Sequence, residues 1–213
     1  MRTIAKNPEP HSLTEYRAAN PTDYYGYPDK DTLRESLATE QRGVCCYCLG
    51  RMRAAIGSMK VEHWQSHSGY PNQRLVYRNL LGACMGGEGQ RGTDQHCDTY
   101  KAERDLSRNP AEPLHNVGAI VHFLSDGRIT SSNPVFNREL NEILNLNLPA
   151  LKNSRKEALR AFQQTLEKRG TLSRQTWERL LGEWNGESYT GELKPYCSVI
   201  AYWIEKKLAR LAH

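Results

Sequence analysis

Cysteine spacing constrains this chain more than any other feature of it. Five of the six cysteines fall within residues 45–97, and Cys45 and Cys48 are separated by two residues. At that spacing one tight turn aims two thiolates at a single tetrahedral zinc. A closed structural site wants four soft ligands, and Cys84 and Cys97 most simply supply the other two, on either side of a loop carrying Gly86, Gly87, Gly89 and Gly92. Such an ion would contribute roughly 10 kcal/mol or more to folding, and it would hold the segment between Cys48 and Cys84 as a closed loop. Cys46 and Cys197 read as plain thiols, with Cys46 or His96 as alternatives for a place in the ligand set. No apolar leader opens the chain and no run of about 18 apolar residues occurs in it. The expected setting is therefore cytoplasmic, where clustered thiols hold metal more often than they form disulfides.

The 213 residues are 38% hydrophobic, enough for a real core, which excludes wholesale disorder. Residues 1–44 read as an N-terminal arm and helix. The stretch Asn20–Asp31 is irregular, and Asp31 is expected to cap a helix with Leu33 and Leu37 on one face. Residues 45–113 form the cysteine-bearing core, closed by Pro110 and Pro113. Residues 114–213 begin with a hairpin around Asp126-Gly127 and continue as helices. Leu151, Ala158, Phe162 and Leu166 share a helical face, as do Trp177, Leu181 and Trp184, and then Tyr196, Val199, Ile200, Trp203, Leu208 and Leu211. Of the net charge of +5, +4 lies in this last region. The expected fold class is α+β, with a small zinc-braced centre flanked by helices.

Between the cysteine pairs lies Lys60-Val-Glu-His-Trp64, a strand-like stretch that sets the carboxylate of Glu62 beside the imidazole of His63. Neighbours on a strand point to opposite faces, so the two serve one site only where the strand ends or bends. Tyr77-Arg-Asn79 precedes an apolar run, and Cys97-Asp98 opens a helix that carries Lys101 and Arg104. His67, four residues past His63, reads first as a polar surface histidine, the other reading being a contact to phosphate or to the ion, and His115, His122 and His213 have no partner identifiable from sequence. The glycine-rich loop lacks the Gly-Lys-Ser/Thr of a Walker nucleotide site.

The ordered set Cys-Cys-Tyr-Cys, Val-Glu-His, Asn-Leu-Leu-Gly-Ala-Cys, His-Cys-Asp-Thr-Tyr-Lys, Asn109-Pro and Leu144-Asn-Leu-Asn-Leu148 resembles the HNH endonucleases. Within them it resembles the PtuB type found in Septu anti-phage systems and in the retrons that carry such a pair. The resemblance spans about residues 33–155. It implies a ββα-metal (HNH) centre around one divalent ion, Mg²⁺ or Mn²⁺, braced by a structural Zn²⁺ on Cys45, Cys48, Cys84 and Cys97. His63 would be the base, Asn79 would hold the His63 backbone or ring, and Glu62 and Asp98 would ligate the ion. Lys101 and Arg104 would contact phosphate. Two features depart from the pattern. Twelve residues, not two, separate Cys84 from Cys97, and Asp98 stands where the family usually has His or Asn. A carboxylate there suits a hard cation.

The resemblance further implies a nucleic-acid substrate, DNA before RNA, and a PtuA-like ATPase of the ABC/SMC kind as partner. Retron versions add a reverse transcriptase and its DNA–RNA product. A charge of +5 is small for unaided binding to a phosphate backbone, which is a further reason to expect a partner. The C-terminal helices, through Trp184, Tyr196 and Trp203, are candidates for its docking face, the other reading being that these rings pack on one another. Two rival readings differ in class: an HNH-type nuclease acting on RNA such as tRNA, and a non-catalytic zinc-stabilised binding module.

Overall fold

A computed structural model describes residues 1–211; His213 lies outside them. Helix α1 (His11–Ala19) and helix α2 (Lys30–Glu40) flank the irregular arm. Helix α2 buries Leu33 and Leu37, as their spacing requires. Its cap is Asp29, whose side chain accepts from the Thr32 backbone N–H; Asp31 lies in the first turn and pairs with Arg34 at 2.7 Å. The helix therefore starts earlier than an Asp31 cap would put it, and Asp31 serves the positive N-terminal end of the helix instead.

Strand β1 (Lys60–His63) pairs antiparallel with β2 (Leu80–Ala83), in a register that sets Glu62 opposite Leu81 and His63 opposite Leu80. The buried Gln41, just past α2, fastens this ribbon to the helix. Its amide donates to the Val44 and Gly82 carbonyls, and its carbonyl accepts from the Gly82 N–H at 2.6 Å. Helix α3 (Cys97–Lys101) is a single turn. Helix α4 (Val117–Ile120) leads into a second ribbon, β3 (Val121–Phe123) with β4 (Ile129–Ser131), closed around Asp126-Gly127. The apolar run from Ala119 to Thr130 around Asp126-Gly127 reads as hairpin in sequence, but its first strand starts at Val121 because residues 117–120 are helical. Helices α5 (Pro134–Glu142), α6 (Pro149–Leu166), α7 (Arg174–Asn185) and α8 (Cys197–Arg210) complete an α+β architecture.

One core cluster joins Met1 and Ile4, Cys45–Cys48, Leu81, Ala83 and Cys97 to residues from Val117 to Leu151. A second packs Leu13, Tyr27, Leu33 and Leu37 under β1 and β2. The third is C-terminal: Phe162 meets Trp184 and Trp203 edge-on, and Trp177 meets Trp203. Trp184, Tyr196 and Trp203 thus pack within the helical core. Leu211, expected on the buried face of α8, follows the end of that helix and is exposed. Among the described residues no helix is long and apolar enough to cross a membrane.

Candidate metal centre and active site

Cys45 and Cys48 lie in the turn that follows α2. The Cys46 N–H donates to the Gly82 carbonyl at 3.0 Å, which docks this turn on β2. Cys84 follows β2 and Cys97 opens α3. The four sulfurs lie within 4.8 Å of one another, with Cys45–Cys97 at 3.9 Å and Cys48–Cys84 at 3.7 Å. A tetrahedron with Zn–S bonds of about 2.3 Å has S···S edges of about 3.8 Å, so the set fits a metal such as zinc. Cys46 is buried but stands outside the group. His96 Nδ1 is 3.1 Å from Cys97 Sγ, beside the cluster as a hydrogen-bond partner.

A buried cation supports the same conclusion. Arg155 on α6 is 1% exposed, donates to the Gly127 and Leu146 carbonyls at 2.6 Å each, and leaves Nη1 without a partner. Burial lowers its pKa, and the charges that oppose this shift come from Cys48, Tyr196 and Cys97, not from any carboxylate. A guanidinium stays protonated, and a buried charge requires a counter-charge. Four thiolates around one Zn²⁺ would carry a net −2 and would supply it.

Beside this centre stands the carboxylate pair. Glu62 is 1% exposed; its Oε1 accepts from the Tyr47 hydroxyl at 2.6 Å and from Lys101 Nζ at 3.0 Å. Burial, and next the charge of Asp98, push its pKa well above the usual carboxylate range. Two acids facing each other in a buried place are costly unless a proton or a cation lies between them. The pair offers hard oxygen donors, the chemistry that would suit Mg²⁺ or Mn²⁺. Lys60 approaches Asp98 at 3.8 Å and Glu88 at 3.0 Å.

His63 ends β1. Its Nε2 lies 3.0 Å from the Arg74 carbonyl. A carbonyl only accepts, so this contact assigns the ring proton to Nε2 and leaves the Nδ1 lone pair bare. Burial lowers the pKa of His63 to about 4, and the ring is neutral at pH 7. The Asp98 charge acts on His63 as well, placing the acid within electrostatic reach. Asn79 grips the chain just beyond His63: Oδ1 accepts from the Gln65 N–H at 2.7 Å, and Nδ2 donates to the Gln65 and Gln73 carbonyls.

Lys101 is placed otherwise than as a phosphate contact, whereas Arg104 is exposed. Lys101 is fully buried, with Nζ donating to the His63 carbonyl at 3.0 Å while pairing with Glu62. Arg104 lies over the Tyr100 ring and donates to the carbonyls of Lys101 and of Glu142 at the end of α5.

Three further residues stand at the site, among them His67, which reads first in sequence as a surface histidine. Tyr24, in the arm, presents its ring edge-on to His63 at a centroid distance of 4.6 Å. His67 stands 5.2 Å from His63, with Nε2 buried and unpaired. Tyr47 is known only by its contact with Glu62. Away from the site, His115 accepts from the Asn109 N–H and His122 lies beside Tyr202.

No protein-family model matches the chain. Over a 230-residue alignment it is 25% identical to an Escherichia coli protein named "Retron Ec83 putative HNH endonuclease", the match covering 87% of this chain and 88% of that protein. The chain is thus similar, over most of its length, to a protein named as an HNH endonuclease of a retron.

Proposed function

We propose that this protein is a metal-dependent HNH endonuclease that hydrolyses nucleic-acid phosphodiester bonds, DNA before RNA. In this reading it is the effector of an anti-phage defence system of the Septu or retron type. The observation that carries the reading is the neutral His63, its tautomer set by the Arg74 carbonyl, next to the Glu62–Asp98 pair. The strand–strand–helix order around these residues supports a ββα-metal centre, and the likeness to the retron protein supports the reaction class.

Phosphodiester hydrolysis needs a deprotonated water in line with the leaving oxygen, and relief of the charge that builds on phosphate. His63 Nδ1 takes the proton of the attacking water. The Arg74 carbonyl steadies the imidazolium that results, because Nε2–H is already directed at it. Asn79 fixes the peptide after His63, which holds the base against rotation of the strand end. Glu62 and Asp98 would hold the divalent ion, which would supply charge neutralisation at the phosphate and the departing 3′ oxygen. The four cysteines would hold Zn²⁺ in a purely structural role.

The shortage of free basic groups supports dependence on a partner. Lys101 and Arg155 are buried and committed inside the fold, so the +5 charge overstates what phosphate can reach. We assign the missing affinity to a PtuA-like ATPase, with a retron reverse transcriptase and its DNA–RNA product as further partners.

The test is cleavage of plasmid and of bulk tRNA by the purified chain with its partner and Mg²⁺, comparing His63→Ala with the wild type. The variant should fold and keep its zinc while losing at least about two orders of magnitude in rate. Near wild-type cleavage by His63→Ala would refute the assignment. Cleavage of tRNA but not plasmid would move the substrate to RNA, and cleavage of neither by the wild type would favour a binding module.

A further inference from the structure

Tyr47 stands between two metal-ligating cysteines in Cys45-Cys46-Tyr47-Cys48, yet its hydroxyl leaves that centre and donates to Glu62 Oε1 at 2.6 Å. The side chain is fully buried. A phenol carries its proton at neutral pH and a carboxylate oxygen only accepts, so the hydroxyl is the donor of this contact. Lys101 Nζ reaches the same oxygen at 3.0 Å. With both donors on Oε1, the other carboxylate oxygen is the one left for a cation.

The backbone makes this contact stiff. The Cys46 N–H is bonded to the Gly82 carbonyl, and Gly82 pairs with Val61, the residue before Glu62. The turn that carries the thiolates therefore meets β1 twice, through the ribbon and through the Tyr47 ring. Thiolate closure around a metal fixes Cys45 and Cys48, and so fixes the base of Tyr47.

We propose that Tyr47 is a positioning residue that couples the tetrathiolate centre to the divalent-ion site by orienting Glu62. The inference rests on the nuclease reading above, in which Glu62 is an ion ligand. Groups that orient a metal ligand from behind typically account for about 10–100-fold in metal affinity. Tyr47→Phe removes a single oxygen, keeps the ring in its packing, and leaves Lys101 to hold Oε1 alone.

The experiment uses the full zinc-loaded chain and Mn²⁺ as the probe, with free Mn²⁺ followed by electron paramagnetic resonance for wild type, Tyr47→Phe and Glu62→Gln. Zinc per chain is measured on the same samples. The expected result is one zinc per chain in all three, Mn²⁺ binding lost in Glu62→Gln, and binding weakened about 10–100-fold in Tyr47→Phe. Wild-type Mn²⁺ affinity in Tyr47→Phe, with loss in Glu62→Gln, would overturn the inference and leave the nuclease reading intact. Loss of zinc from Tyr47→Phe would also overturn it, in favour of a role confined to the thiolate turn. If Glu62→Gln bound Mn²⁺ as the wild type does, the ion assignment itself would fall, and the coupling with it.

Discussion

Replacing Arg155 separates two things that one buried guanidinium does. It donates to the carbonyls of Gly127 and Leu146, joining the hairpin to the segment before α6, and its charge faces the cysteine centre. Arg155→Met removes both. Hydrogen bonds to a charged group are each worth about 1.5–3 kcal/mol, and breaking a buried charge pairing costs about 3–5 kcal/mol. For a chain of this length each kcal/mol moves the melting temperature by about 2–4 °C, so a fall of about 6–20 °C is expected. Arg155→Lys retains the charge but not the planar fork that reaches two carbonyls. It should melt early as well, yet keep its zinc. Competition with a chelator of known affinity then distinguishes the two: zinc binding should weaken about tenfold or more in Arg155→Met, about 1.4 kcal/mol, and stay close to wild type in Arg155→Lys. Wild-type zinc affinity in Arg155→Met would refute the counter-charge argument, whatever happened to the melting temperature.

Two further outcomes follow from local geometry and from titration. At Gly86, with φ +56°, an added Cβ would lie 2.2 Å from the His96 carbonyl oxygen, whereas at Gly89, with φ +81°, it would meet nothing within 4 Å. Gly89→Ala should cost only the left-handed backbone term, about 1–2 kcal/mol; Gly86→Ala should cost distinctly more and lower zinc occupancy by moving His96 and Cys97, as thermal melts and elemental analysis would show. His63 titrates near 4 in the folded chain against an ordinary 6.5, so the folded state takes up fewer protons than the unfolded one. Its contribution to stability is intact above pH 6.5 and is lost as pH falls towards 4, about 2 kcal/mol of it by pH 5. Urea midpoints at pH 7 and pH 5 should therefore differ more in the wild type than in His63→Gln, and equal differences would refute the shift.

The cysteine set was legible because a metal centre writes itself into spacing and residue type, and the helix faces were legible because burial repeats every three to four residues. Lys101 was misread for a reason that is also physical. From its neighbours it is one more charge on a short helix, which usually means a solvated face. Its burial is decided by Glu62 and the His63 carbonyl, 39 and 38 positions earlier, and by Tyr47 closing the other side. Tyr24 was missed because an irregular arm has no period, and only the fold brings residue 24 to residue 63. The cap at Asp29 shows the same limit on a smaller scale, since Asp29 and Asp31 both stand where the helix could begin and sequence alone does not choose between them.

The long excursion between Cys84 and Cys97 illustrates why a motif can be stretched and still work. Widening a loop from two residues to twelve costs about 1.6 kcal/mol in closure entropy, small beside the roughly 10 kcal/mol or more of a structural zinc. The excursion also closes on itself. The His96 N–H donates to the Gly86 carbonyl at 2.9 Å, and Thr99 Oγ1 donates to the Met85 carbonyl at 2.8 Å. From outside, Asn145 Nδ2 donates to the carbonyls of Thr93 and Gln95, and the Leu144 carbonyl accepts the Cys97 N–H at 2.9 Å. These contacts return the chain to Cys97, whose sulfur lies within 4.8 Å of the other three. The Leu144-Asn-Leu-Asn-Leu148 stretch thereby acquires a physical role: Asn145 clamps the excursion, while Asn147 clamps both backbone groups of Ile129 in the second hairpin. A cysteine pair separated by twelve residues needs such a clamp, and here the clamp comes from a segment nearly fifty residues downstream.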